Sequence, residues 1–328
     1  MENDLSDINT AVREASYWVS LLRNEMSKSV VGQRYLIDRL IIGLLTNGHI
    51  LLEGVPGVGK TLTIKTLAQA IQSEFKRIQF TVDLLPADIL GMVIFNPQTL
   101  QFSTKKGPIF SNIVLADEIN RASARVQSAL IECMGEKQVT IGDTTYPLPE
   151  VFMVLATLNP IDHEGVYKLP ESESDRFMMK VRVEYPNRME ELRILQTHRS
   201  ISQQSVIEPI ITLDQILQSR SLIDKIYIDE KIEDYIVDLV TATRTPSAKL
   251  GLKGMIENGA SPRAGIAMSK CSRAWAFLNG RGYVIPQDVK DIGLDVLRHR
   301  IIPTYEAELQ GFTSEEIAKR ILNGVRVP

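Results

Sequence analysis

Gly54-Val55-Pro56-Gly57-Val58-Gly59-Lys60-Thr61-Leu62 stands between an apolar run at 49–53 and a helical pattern over 62–73. The spacing is G-x-x-x-x-G-K-[ST], in the order strand, glycine-rich turn, helix that its chemistry requires. The glycines let successive backbone N–H groups converge on phosphate oxygens, and the helix that follows adds the positive end of its dipole. Lys60 is then expected to reach the β- and γ-phosphates and Thr61 to ligate Mg²⁺, with residues 54–62 as the nucleotide cradle. A chance glycine-rich turn would not carry both flanking elements.

Working outward, short runs rich in Ile, Val, Leu or Phe recur at 49–53, 75–81, 113–116, 152–158 and 178–184, separated by helical patterns or long connections. That alternation predicts an α/β fold with a parallel five-stranded sheet covered by helices. Upstream, 6–28 reads as one amphipathic helix with Ser6 as its cap, packing on the core. After Tyr185-Pro186 the strand pattern stops. Helices are expected at 187–200, 214–221, 229–243, 261–279 and 287–301, the fourth opened by Ser261-Pro262 and closed by Asn279-Gly280. The expected organisation is an N-terminal helix over 1–30, a nucleotide-binding domain over 31–198 and an all-helical lid over 199–328.

A second motif sits on the third strand. In Asn112-Ile-Val-Leu-Ala-Asp117-Glu118 two carboxylates end an apolar run, at the edge where open parallel sheets bind ligands. Asp117 suits Mg²⁺ coordination, and Glu118, projecting differently, suits polarising water for attack on a γ-phosphate. An acidic pair on an exposed loop would be ordinary solvated charge; at the end of a buried strand beside a phosphate loop it is expected to be functional.

Composition narrows the rest. The chain has 328 residues, 44% hydrophobic and 23% charged, which excludes disordered and collagen-like classes. Lys and Arg number 37 against 40 Asp and Glu, a formal charge of −3, so no broad nucleic-acid or membrane footprint is expected. Cys133 and Cys271 form no CxxC pair and point to neither a disulfide framework nor a zinc site. No signal-peptide pattern or membrane-length apolar run appears, and a cytoplasmic location is expected. His49, His163, His198 and His299 have no metal-ligand spacing and read as structural or surface residues.

Together the two motifs, Asp117-Glu118-Ile-Asn-Arg121-Ala, Gln127-Ser-Ala-Leu-Ile-Glu-Cys-Met-Gly-Glu136 and Ala156-Thr-Leu-Asn159-Pro160 closely resemble the MoxR family of AAA+ ATPases over about 30–302. The resemblance implies an αβα P-loop core with a helical lid. It assigns Asn159 to sensor 1, beside the γ-phosphate, and Arg176, in Asp175-Arg176-Phe177, to an arginine finger that enters the neighbouring subunit's site. The family often has an apolar residue where Ser174 stands. Arg263, in Gly259-Ala-Ser-Pro-Arg263-Ala, matches sensor 2, and Val30-Val31-Gly32-Gln33 resembles the adenine-pocket segment.

Two hairpins are read at 92–96 with 100–104 and at 138–141 with 144–147. They resemble the family's helix-2 insert (about 91–107) and pre-sensor-1 hairpin (about 137–148), which in a ring face the pore and a client. The resemblance further implies ATP and Mg²⁺, a homo-oligomer of hexameric form, and a client or adaptor protein, with von Willebrand factor A domain partners. The expected activity is ATP hydrolysis driving chaperone-like remodelling, maturation or metal insertion, without nucleic acid or membrane insertion. The alternatives are a nucleic-acid-dependent motor, because helicases share both hairpins, and a non-hydrolysing switch or scaffold.

Overall fold

The computed structural model describes residues 2–98, 100–159, 167–197 and 206–328, without side chains for 2–5 and 197. Pro160, His163 and His198, named above, lie outside these. The five expected apolar runs form strands β1 (Ile50–Glu53), β2 (Phe75–Gln79), β3 (Ile113–Asp117), β4 (Met153–Leu158) and β5 (Met179–Arg182). They make one sheet in the order β2-β3-β4-β1-β5. Ile113–Ala116 and Met153–Ala156 are completely or almost completely buried, which is why both strands read as unbroken apolar runs instead of alternating ones.

Register fixes the working edge. Parallel pairing sets Gln79 opposite Asp117, Ala116 opposite Ala156 and Glu53 opposite Leu158, so the C-terminal ends of β2, β3, β4 and β1 come level. Helix α1 (Arg34–Leu45) lies in the same unit with Leu40, Ile41, Ile42 and Leu44 fully buried, as a helix apolar on nearly all sides must. His49, one residue before β1, accepts from the Val154 N–H at Nδ1 (2.9 Å), so Nε2 is the atom that donates to the Met134 carbonyl (3.3 Å). Burial lowers its pKa from the usual 6.5 to about 4; it is a neutral core histidine.

Both hairpins form. The first pairs Gly91–Asn96 with Gln101–Lys106 and the second Gln138–Ile141 with Thr144–Pro147. They touch each other: Tyr146 donates its hydroxyl to Thr104 Oγ1 at 3.2 Å, and Lys106 Nζ lies 4.8 Å from the ring centres of both Phe110 and Tyr146.

The chain divides into two compact units whose limits differ from the expected boundaries: Leu21–Arg176 with Val181–Leu213, and Met1–Ser20 with Phe177–Lys180 and Asp214–Pro328. The expected single N-terminal helix is broken into Glu2–Ala15 and Tyr17–Met26. The cause lies at Ser16, whose hydroxyl bonds the Arg13 carbonyl while the ladder tightens to Val19 N–H on Ser16 O. The helix begins before Ser6, which is therefore not its cap. Its first part belongs with the helical unit: the Gly282 N–H bonds Asn9 Oδ1 at 2.9 Å and Trp18 Nε1 bonds Ser219 Oγ at 3.3 Å.

The helical unit holds Leu213–Ile223, Glu230–Ala242, Pro262–Leu278 and Pro286–Leu297, near the expected positions, and adds Tyr305–Leu309 and Ser314–Gly324. It is not entirely helical, because Ile256–Asn258 pairs with Ile302–Pro303 as a short ribbon. Phe177–Lys180 belongs here for a visible reason. Arg300 donates to the carbonyls of Phe177 (2.6 Å), Met178 (3.2 Å) and Val296 (2.6 Å), His299 Nε2 to Phe177 O (3.2 Å), and Arg298 to Lys180 O (2.7 Å). Arg298 also pairs with Asp295 and Glu315.

Candidate active site

Between β1 and the helix Lys60–Ala70 the chain turns through Gly57 and Gly59, at φ 86° and 80°, with no heavy atom within 4 Å of a Cβ placed on either. The left-handed backbone suits glycine, and the space beside it is open toward a ligand. Pro56, Gly57, Gly59, Lys60, Thr61 and Leu62 line a cleft of about 410 Å³, together with Asp117, Glu118, Thr157, Asn159 and Arg77. Lys60 donates to the Gly54 carbonyl. Burial lowers its pKa from the usual Lys value, partly offset by the attraction of Asp117 and Glu118.

The backbone turns between the two carboxylates. Asp117 ends β3, while Glu118 adopts the left-handed conformation, φ 56° and ψ 51°, at the start of a short 3₁₀ turn. This is an uncommon state for a residue without a special local hydrogen bond. Thr157 holds the elbow: its hydroxyl donates to Asp117 Oδ1 at 2.6 Å and accepts the Glu118 N–H at 2.7 Å. Glu118 Oε2 also accepts from Gln79 Nε2 (3.1 Å) and Arg121 Nη1 (3.3 Å). On Asp117 Oδ2, Arg77 converges with Nε at 3.0 Å and Nη2 at 2.6 Å.

On the other side of the turn, Val30, Val31, Gln33, Val58, Leu62, Pro186 and Ile194 line a smaller, mainly apolar hollow of about 220 Å³. Its size and lining suit a flat aromatic base. Gly32 is beside it but does not line it: a left-handed turn, φ 69°, brings its Cα face against the Glu190 side chain. Gly54 and Val55 precede the turn and line neither hollow.

Of the sequence-derived residues, Lys60, Thr61, Asp117, Glu118 and Asn159 are brought together in the cleft. Arg176 does not line it; its side chain is exposed and Nη1 lies against Gly135. Arg263 belongs to the helical unit, in the first turn of Pro262–Leu278, where its N–H donates to the capping Ser261 Oγ at 3.2 Å. Arg77, Gln79 and Thr157 are additions from the structure. Arg77 and Gln79 stand two apart on one strand, hence on one face, but the residues they face come from another strand.

Among the described residues, no group of three His, Cys, Asp or Glu side chains could hold a metal by itself. Thr61 and Asp117 in one cleft offer hard oxygen donors, which suit Mg²⁺ with the rest of its shell from phosphate and water. No described helix is long and apolar enough to cross a membrane.

Comparison with known proteins agrees with this geometry. Residues 49–179 match the ATPase family associated with various cellular activities (AAA), and 252–321 match the AAA lid domain. Chaperone MoxR1 of Mycobacterium tuberculosis is 44% identical over 93% of this chain and 81% of its own. Protein MoxR of Paracoccus denitrificans is 30% identical over 93% of both chains. The crystal structure of an ATPase candidate from Cytophaga hutchinsonii superposes with a TM-score of 0.91 at 46% identity, covering 99% of this chain and 98% of the other. Phosphate turn, carboxylate elbow, sheet order and lid thus meet in one assignment: the chain belongs to the MoxR family of AAA ATPases.

Proposed function

We propose that the protein is a Mg²⁺-dependent ATPase that hydrolyses ATP to ADP and phosphate and uses the cycle to remodel a client protein. The observation that carries the chemistry is the shared cleft of Lys60, Thr61, Asp117 and Glu118, split by the left-handed backbone at Glu118. The loop N–H groups and Lys60 bind the triphosphate tail, and Lys60 offsets charge that builds on the transferred phosphoryl oxygens. Glu118 takes a proton from the attacking water at a carboxylate oxygen, and Asn159 orients that water. Thr61 and Asp117 would hold Mg²⁺, which supplies charge neutralisation at the β- and γ-oxygens.

In this reading Val31 and Gly32 flank the base, Arg263 reports nucleotide state to the lid, and Arg176 reaches the neighbouring subunit's site. The supporting observation for Arg176 is its exposure and its place outside its own subunit's cleft. A homo-oligomeric ring, hexameric by family resemblance, follows from a finger that works in trans.

Client contact is assigned to the hairpins. Val93, Phe95, Leu100 and Phe102 of the first are 43%, 47%, 75% and 74% exposed, apolar surface that a solvent hairpin gains nothing from showing. A relative bearing the name chaperone supports this direction, and resemblance extends it to maturation or metal insertion with a von Willebrand factor A domain partner.

The test is steady-state Mg²⁺-ATP hydrolysis against protein concentration, with Glu118→Gln as blank. Specific activity that rises with concentration supports sites completed by neighbours. Turnover that Glu118→Gln leaves intact would remove Glu118 as the base, and absence of turnover at every concentration would leave a nucleotide switch.

A further inference from the structure

Both oxygens of Asp117 are committed, and by unequal partners. Oδ1 is held by the hydroxyl of Thr157, a residue only 2% exposed and fixed within β4. Oδ2 is held by Arg77, whose side chain is 49% exposed and comes from the neighbouring strand β2. A guanidinium normally meets a carboxylate as a fork, one N–H to each oxygen. Here Nε and Nη2 both converge on Oδ2, since Oδ1 already accepts from Thr157. Nη2 is also held by Gln79 Oε1 at 2.8 Å, so a guanidinium that leaves Oδ2 keeps one anchor and stays in the cleft.

We propose that Arg77 is a placeholder for the divalent cation: it occupies Oδ2 of the cleft-lining Asp117 and must release it for Mg²⁺ to be held there. The inference rests on the nucleotide-site reading above and adds to it a positioning residue that sets how much Mg²⁺ the site needs. Three features carry it. The contact sits on the metal-bearing carboxylate; the cationic partner is half-exposed and therefore exchangeable, where the partner of Oδ1 is not; and Arg77 lines the same cleft as Thr61 and Lys60. Without nucleotide, Arg77 balances the charge of a carboxylate whose other hydrogen-bond partner is a neutral hydroxyl. With nucleotide, it competes with the cation for one oxygen.

The experiment is a Mg²⁺ titration of the full chain bound to a fluorescent ADP analogue, which needs no turnover. Arg77→Met removes both charge and fork at similar length; Arg77→Lys keeps the charge and loses the fork. The Mg²⁺ midpoint is expected to fall about two- to fivefold in Arg77→Met, the range spanned by a half-exposed ion pair, and to fall in the same direction in Arg77→Lys. Affinity for the analogue in the presence of a chelator reports that each variant retains a folded site.

A midpoint that is unchanged or raised in Arg77→Met overturns the proposal, the second result meaning that Arg77 orients Asp117 for the metal. A midpoint in Arg77→Lys equal to that of the parent also overturns it, because the general field of a cation would then explain everything. If the parent protein binds the analogue without any response to Mg²⁺, the nucleotide-site reading falls and takes the placeholder with it. A normal parent response with unmoved variants sinks the placeholder alone.

Discussion

Two charged clusters in this molecule use similar side chains to opposite ends. At the sheet edge, Arg77, Asp117, Glu118 and Arg121 pair side chain to side chain, and both arginines are close to half exposed. In the helical unit, Arg298 and Arg300 are 8% and 7% exposed and bond chiefly to backbone carbonyls, with Asp295 fully buried beside them. A carbonyl fixed in the chain cannot rotate away or change its charge, so the buried cluster is permanent structure. A half-exposed guanidinium can leave its carboxylate to water, a cation or a phosphate-bound ion at little cost. The difference teaches how to tell a charge that holds the fold from one whose partner is free to change.

The largest expected break in this comparison comes from Arg176→Ala. Turnover of the assembled protein should fall about 10³- to 10⁵-fold, as for other trans-acting arginines, with nucleotide affinity and thermal midpoint unchanged; single-turnover assays on pre-assembled protein measure it. Glu118→Gln should lower turnover about 10²- to 10⁴-fold while equilibrium binding of ATP persists. Full activity in either variant would place that residue among ordinary surface charges.

The buried cluster should answer in stability instead. Arg300→Met strips donors from three carbonyls and is expected to cost about 2–4 kcal/mol, read as a lower denaturant midpoint, whereas Arg77→Met should move stability by less than about 1 kcal/mol. Equal losses in the two variants would erase the distinction drawn here.

A pH dependence at His49 is a further expected effect. Its folded pKa of about 4 lies below the ordinary 6.5, so between those values the unfolded chain takes up a proton that the folded chain refuses. Stability is therefore fully present above about pH 6.5 and falls as the pH drops toward 4, by up to about 3 kcal/mol. His49→Gln, which can keep one accepting and one donating bond, should flatten that slope in denaturation curves recorded at each pH.

The strands and the phosphate loop were legible because their signals are local: apolar runs, glycine spacing, a lysine at a fixed offset. Asp117 and Glu118 were legible for the same reason, as was the Ser261-Pro262 helix start. Arg77 escaped because its meaning depends on which strand lies beside β2, and parallel pairing joins residues 40 apart through no local pattern. Thr157 stood within a quoted motif but its reach to Asp117 is likewise a matter of register. Arg298-His299-Arg300 falls at the end of an expected helix, and only the fold turns it inward onto Phe177–Lys180. The break at Ser16 had no glycine or proline to announce it, only a hydroxyl that competes with the helix ladder.

The partnership between Met1–Ser20 and the rest of its unit sets a timetable for the nascent chain. Trp18 waits for Ser219, 201 residues later, and Asn9 waits for Gly282, 273 residues later. At about 5–20 residues per second, that second wait lasts roughly 14 to 55 seconds. Through this interval Asn9 and Trp18 have left the ribosome without their final hydrogen-bond partners. The α/β unit, whose residues from Leu21 onward lie between, can begin to condense first, and the oldest part of the chain settles among the last.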